Sequence, residues 1–216
     1  MTHNAVPDDL EIAPGHTVGK WKSLSLADLD AHESPDGKSA FTILGDRIRL
    51  RFFDPVDALI RAECGRNPKR FGFAILAIDC LVIETLQAFR CGVCNHHGKS
   101  GELFERFLTQ WDAFTTCLPN GTDAAGAKQF AQRFYTGYRC GLHHAGGTDQ
   151  ALRVRADGPA FEFTNQNEMR VNRTLLHQAL VREFDGYLSS LREPSGCALR
   201  KNFRSKMDYI AGHTRP

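Results

Sequence analysis

The chain has 216 residues, which suits one domain of ordinary size with some excess at its ends. Hydrophobic residues make up 42% and charged residues 24%, so a wholly disordered or collagen-like chain is excluded. A net charge of +2 supplies no global attraction for nucleic acid, and any basic binding surface has to be local.

No stretch reads as the roughly 20 apolar residues of a membrane span; the richest run, Phe71 to Ile83, is short and holds Asp79. The opening residues MTHNAVPDDLEIAPGH carry early acids and no apolar core, so they do not read as a secretory signal, and the cytosol is the expected compartment. Seven cysteines, an odd number scattered through apolar segments, read as reduced, half-buried thiols and not as a disulfide framework.

Residues 1–20, with Pro7, Pro14, Gly15 and Gly19 among polar groups, read as a loose arm. Leu24, Leu26 and Leu29 suggest a short helix, and Glu33 to Ser39 reads as a loop. From Arg47 to Phe52 the pattern alternates, Arg47, Arg49 and Arg51 against Ile48, Leu50 and Phe52. A period of two predicts a strand with one basic face, either a solvated edge or a stripe that contacts phosphates.

Asp54-Pro55 predicts a helix start, and Gly65 a stop after Cys64. A second helix is predicted over Lys69 to Arg90. Its first half is apolar all round and so should be central and buried; Glu84, Gln87 and Arg90 then line one side. Gly92 to Gly101 reads as a loop, with Ser100 a candidate cap. Leu103, Phe104, Phe107, Leu108, Trp111 and Phe114 form a helical stripe.

A fourth helix is predicted from Asp123 to His144, with Phe130, Phe134, Gly137 and Gly141 along one face. Each glycine inside a helix costs about 1 kcal/mol, which implies a reason such as close approach of another backbone. Residues 151–171 alternate around Asp157-Gly158-Pro159 and predict a small hairpin or meander. Asn172 reads as the cap of a fifth helix carrying Leu176, Leu180, Phe184, Leu188 and Leu191. A basic tail with Arg200, Lys201, Arg204 and Lys206 follows Pro194-Ser195-Gly196. The predicted class is all-α: a bundle of four to five helices with a small β insertion before the last long one. The expected divisions are an N-terminal arm and short helix over 1–45, a helical domain over 46–193 and a C-terminal tail over 194–216.

The sequence has no P-loop, GxGxxG, GxSxG or HExxH motif. Cys91, Cys94, His96 and His97 are a weak candidate for zinc, with thiolates and imidazoles in one tight loop but no second ligand pair elsewhere; an ordinary polar loop is the competing reading. No cofactor is expected. The other candidate is the end of the fourth helix, with Tyr135, Tyr138, Arg139, Cys140, His143 and His144. At 100° per residue, Arg139 and His143 lie within about 40° of each other and His144 about 140° away, so a loosened last turn at Ala145-Gly146-Gly147 is expected to swing His144 round. One reading is a helix C-terminus that favours positive charge. The other is phosphodiester chemistry, in which an imidazole moves a proton and a guanidinium grips phosphate oxygens. A two-fold dimer would supply a second such pair, and the Gly137–Gly141 face is a candidate contact.

These residues resemble the HEPN superfamily of small helical proteins, whose signature is Arg, four to six residues, then His near the end of a long helix. Arg139 to His144 satisfies the four-residue version. Ile78 to Leu86, Phe134-Tyr135 through His144, and Leu199 to Ile210 resemble a prokaryotic, partly plasmid-borne HEPN group, so the likeness runs from about residue 50 to the end. The resemblance implies an HEPN-like bundle and a metal-independent endoribonuclease or RNA-binding relative, commonly a homodimer with a composite site. Many such proteins serve as toxins or antiphage effectors. It places Arg139 on the scissile phosphate and His144 as general base or acid, with His143 auxiliary. Cys140 stands where many active members carry a polar residue, often Asn, and a thiol is a poor donor for orienting the site.

Glu84 is a candidate partner for Arg139, with Arg90 or water as its alternative partners. The expected activity is cleavage of RNA by 2′-hydroxyl attack, leaving a 2′,3′-cyclic phosphate. The expected partners are RNA, a second copy of the chain, and a cognate antitoxin or other inhibitory partner, with no membrane. Arg47, Arg49, Arg51, Arg153, Arg155 and the basic tail are the candidate RNA-backbone contacts. The alternative is a catalytically inactive HEPN-like module that binds RNA, nucleotide or a partner protein.

Overall fold

The computed structural model describes residues 6–25, 34–148, 151–164 and 168–212. The fold is mainly α-helical with two small sheets, and the chain divides into two compact units. The first comprises residues 1–54, 88–96 and 184–216; the second comprises residues 55–87 and 97–183.

The first unit opens with structure where a loose arm was expected. Strand β1 (Glu11–Ala13) pairs antiparallel with β2 (His16–Thr17), and Gly15 takes the left-handed turn position at φ 75°. Thr17 caps α1 (Val18–Ser23) through the Lys20 N–H. These elements are too short to show a period, yet Ile12, Ala13, Val18 and Trp21 are all buried. Trp21 Nε1 donates to Asp208 Oδ1 at 2.8 Å, and the rings of Trp21, Phe41 and Phe89 gather around Phe203 at 5.7, 5.9 and 6.2 Å. Of the leucines expected to form a short helix, Leu24 directly follows α1; Leu26 and Leu29 lie outside the described residues.

Of the loop expected over Glu33 to Ser39, Glu33 lies outside the described residues and the rest is the start of a helix. Ser34 Oγ accepts from the Gly37 N–H at 3.0 Å, and Pro35 opens α2 (Pro35–Ile48). Ser-Pro-Asp-Gly reads equally as a turn and as a cap followed by a first-turn proline, and here the cap prevails. The basic strand expected from Arg47 is likewise helical. A π-helical turn (Arg49–Phe53) carries α2 directly into α3 (Asp54–Ala62), so Asp54-Pro55 continues a helix that it was expected to start. A proline inside a helix removes a donor and crowds the carbonyl four residues back. The wider π turn accommodates it, the Asp54 N–H reaching Arg49 O.

The helix α4 (Gly72–Cys91) contributes to both units. By length and composition alone it is long and apolar enough to cross a membrane, with a mean hydropathy of 1.7 over 18 of its residues, although no membrane span was expected from the sequence. Most of that stretch is buried in the protein, and Asp79, Glu84 and Gln87 are buried with it. It is a core helix. Its apolar half buries Ile75, Leu76, Asp79 and Cys80 as expected but leaves Phe73 and Leu81 exposed, and the more polar stretch from Val82 to Phe89 is almost wholly covered.

In the second unit, α5 (Ser100–Gln110) and α6 (Asp112–Thr115) present the apolar stripe as foreseen, broken at Trp111. Asp123 caps α7 (Ala124–Phe134), accepting from the Gly126 N–H at 2.8 Å. A second π-helical turn (Tyr135–Cys140) leads into α8 (Gly141–Ala145). Three short strands follow: β3 (Leu152–Arg155), β4 (Phe161–Phe163) and β5 (Met169–Asn172). Their order is β3-β5-β4, with β3 parallel and β4 antiparallel to β5, so the Asp157-Gly158-Pro159 turn does not close a hairpin. Val171 in the central strand faces Val154 on one side and Phe161 on the other. Phe161 stands edge-on to Trp111, Phe114 and Phe134, which fixes the sheet on the helices.

Asn172 Oδ1 caps α9 (Arg173–Arg192), accepting from the Thr174 and Leu175 N–H groups. The basic tail contains α10 (Cys197–Ile210), whose Phe203 and Met207 are fully buried in the first unit.

Candidate functional site

The end of the fourth predicted helix is anchored before it bears any charge. Phe134 stacks on Phe104 with centroids 5.6 Å apart. The Tyr138 hydroxyl lies 3.0 Å from Arg153 O and 2.8 Å from Met169 O, so its one proton serves two strand carbonyls. Tyr138 therefore faces the sheet, and the adjacent Arg139 faces α4.

Arg139 Nη2 donates to Glu84 Oε2 at 3.0 Å, and Glu84 Oε1 accepts from Ser100 Oγ at 2.7 Å. Ser100 was expected to cap α5 but makes no capping bond and steadies Glu84. Glu84 is only 6% exposed, and a carboxylate so placed needs such partners. The Tyr135 ring lies 5.7 Å from the guanidinium carbon. Arg139 Nε is buried and has no hydrogen-bond partner among the described residues. The guanidinium is held still firmer in its charged form by Glu84, although burial opposes this.

Cys140 is half-buried and hydrogen-bonds to Tyr135, whose own titration is pushed up by burial and then by that bond. Fully buried Cys80 lies in the same electrostatic neighbourhood, its thiol raised by burial. His143 and His144 are exposed on α8. The His143 imidazole is held below its ordinary pKa by burial, then by Arg139 and His144, against an opposing pull from Glu84.

The last turn does not loosen as expected. The chain stays helical to Ala145, and Gly146 then takes a left-handed conformation at φ 65°, its N–H and that of Gly147 both returning to Gly141 O. The departure from α geometry comes earlier, in the π turn that contains Arg139. Such insertions recur at functional sites because they re-aim side chains.

The Gly137–Gly141 face is not open to a second copy of the chain. A Cβ on Gly137 would collide with Leu152 Cδ1, and one on Gly141 would lie 2.6 Å from Gly147 O. The close approach inferred from these glycines is made by the chain itself.

The other sequence candidates scatter. Arg47 and Arg51, four residues apart on a helix, share a face and donate to the carbonyls of Ile12 and Glu11 on β1. Burial, and then Arg51, lower the Arg47 pKa to about 10. Arg49 turns the other way, pairing with Asp185 over the Phe184 ring. In the tail, Arg200 is buried against the carbonyls of Leu191 and Glu193, and Lys206 donates to Cys94 O and faces His96. Arg153 and Arg155 are exposed on β3. Cys94 donates to Gly92 O and Ser205 O, and among the described residues no group of three or more His, Cys, Asp or Glu side chains is placed to hold a metal ion.

Compared with protein-family models, curated proteins and solved structures, the chain matches none.

Proposed function

We propose that the chain is an HEPN-like, metal-independent endoribonuclease that acts in the cytosol as a toxin or antiphage effector, with Arg139 and His144 at its site and His143 assisting. The observation that carries this reading is the held arginine. Glu84, Ser100 and Tyr135 fix a mostly buried guanidinium one turn before two exposed histidines. In the proposed step, a neutral imidazole takes the proton from a ribose 2′-hydroxyl and the 2′-oxygen attacks phosphorus. The P–O5′ bond breaks, and a protonated imidazole returns a proton to the leaving 5′-oxygen. A 2′,3′-cyclic phosphate and a 5′-hydroxyl remain. Arg139 stabilises the charge that grows on the phosphate oxygens. Base and acid are two imidazoles, drawn from one chain or from the two chains of a homodimer.

The ion pair itself favours a second reading. Glu84 already neutralises Arg139 and competes with a phosphate for it, which suits a catalytically inactive module that binds RNA, nucleotide or a partner protein. Purified wild type, Arg139→Ala and His144→Ala, incubated with mixed tRNA and mRNA in EDTA, separate the two. The nuclease reading expects cleavage by wild type alone, with the variants still folded. RNA retention without cleavage by wild type favours the binding module. Cleavage by all three alike rejects the assigned residues.

A further inference from the structure

We propose that a cationic cleft beside the N-terminal end of α4 is a nucleotide-binding subsite, gripping phosphate with Arg70 and Arg155 and stacking the base on Phe73. The cleft measures about 540 Å³ and lies within the second unit. That is room for a mononucleotide-sized ligand. Its lining includes Lys69, Arg70, Arg155 and Arg173, opposed by one carboxylate, Asp157.

The walls are built by buried polar contacts. Glu63, 1% exposed, pairs with Arg173 and accepts from the backbone N–H groups of Arg70 and Phe71. Lys69 Nζ donates to Glu63 O at 2.6 Å. Burying a carboxylate is costly unless its oxygens are filled, and here one carboxylate fixes both the turn that carries Arg70 and the cation behind it. From the opposite side β3 presses in closely, since a Cβ on Gly72 would stand 3.1 Å from Val154 Cγ1. This brings Arg155 to the same opening.

The pieces left over are those a nucleotide uses. Arg70 and Arg155 line the cleft and are exposed, and among the described residues neither has an ion-pair partner. An Arg fork matches two phosphate oxygens. Phe73 is 44% exposed at the cleft edge, unusual for a phenylalanine, and an exposed ring beside cations is a stacking platform for a base. The source of the nucleotide is either a free mononucleotide or one unit of a single-stranded RNA. This subsite rests on the cleft and does not depend on the cleavage reading.

The test measures binding in the full-length His144→Ala chain, so that cutting does not confuse the readout. The probes are a labelled eight-nucleotide single-stranded RNA, followed by fluorescence anisotropy, and 5′-AMP as competitor. The double variant Arg70→Ala with Arg155→Ala should lower RNA affinity at least tenfold and make its salt dependence shallower by about one unit of log–log slope. Phe73→Ala should lower affinity about tenfold, while Phe73→Tyr, which keeps a ring, should not. Displacement by 5′-AMP assigns the cleft to a free nucleotide, and RNA binding that AMP does not displace assigns it to a strand. Unchanged affinity in the double-arginine variant, or no binding of either probe, overturns the proposal.

Discussion

Two buried carboxylates differ only in what stands beside them. Glu84 has the Arg139 guanidinium on one oxygen and the Ser100 hydroxyl on the other. Asp79, wholly buried, has His177 Nδ1 at 2.8 Å, and Asp57 lies 3.4 Å from the far ring nitrogen. Burial pushes the Asp79 carboxyl up to about 6, His177 opposing and Asp57 adding to the rise. A folded pKa above the unfolded value means the folded state holds the proton longer. The stability from this group is therefore complete below about pH 4 and lost as pH rises through about 6. Asp79→Asn removes that dependence. Urea denaturation should find the variant gaining on wild type by on the order of 2–3 kcal/mol between pH 4 and pH 7; a constant difference across that range would refute the shift.

His143 offers a second check at the same scale. Arg139 contributes to its lowered titration, so Arg139→Gln should move the His143 midpoint upward in an NMR pH titration. No movement would place the two groups further apart than the structure does. Replacing Glu84 and Arg139 singly and together should give a coupling free energy of about 1–3 kcal/mol in a double-mutant cycle. The Glu84–Arg139 pair was one of the sequence candidates, beside Arg90 or water as the partner of Glu84, and it forms across 55 residues. The Asp79–His177 pair, 98 residues apart, has no signal in the sequence.

At the scale of elements, the long amphipathic stretches were legible and the junctions were not. The stripe from Leu103 to Phe114, the start of the fourth helix at Asp123 and the Asn172 cap each appear where the sequence put them, because period and capping chemistry are local. The alternation from Arg47 to Phe52 mimics a strand because it falls where α2 passes through a π turn into α3. There, residues two apart point to different neighbours, Arg49 to Asp185 and Arg47 with Arg51 to β1. The paired glycines signalled close approach correctly but not by what. Gly137→Ala should destabilise by about 1–3 kcal/mol, because the overpacking against Leu152 outweighs roughly 1 kcal/mol of gained helix propensity. Adding Leu152→Ala should recover part of that loss relative to Leu152→Ala alone; thermal melts of the four proteins decide it, and strict additivity would show that the two residues do not meet.

For the whole molecule, the all-α expectation holds at the level of a mainly helical chain, with one small sheet near the start of the sequence and one before the last two long helices. The arm and the tail were the least legible parts. Trp21 and Phe203 occupy one core cluster although 182 positions separate them, and no local pattern announces that. The proposed homodimer has to use a surface other than the Gly137–Gly141 face, and the exposed α8 end with His143 and His144 is the natural candidate. Light scattering should then give twice the 24.1 kDa of one chain at micromolar concentration, whereas a monomer that still cleaves RNA would place both imidazoles in one copy.

Cleavage chemistry is tested most directly by giving the wild-type chain an RNA and the all-deoxy strand of the same sequence, both in EDTA, and identifying the ends produced. The expected result is an RNA cut to 2′,3′-cyclic phosphate and 5′-hydroxyl ends, an untouched DNA strand, and no product from His144→Ala. Cleavage of the deoxy strand, or an RNA left whole by a demonstrably dimeric chain, would contradict it.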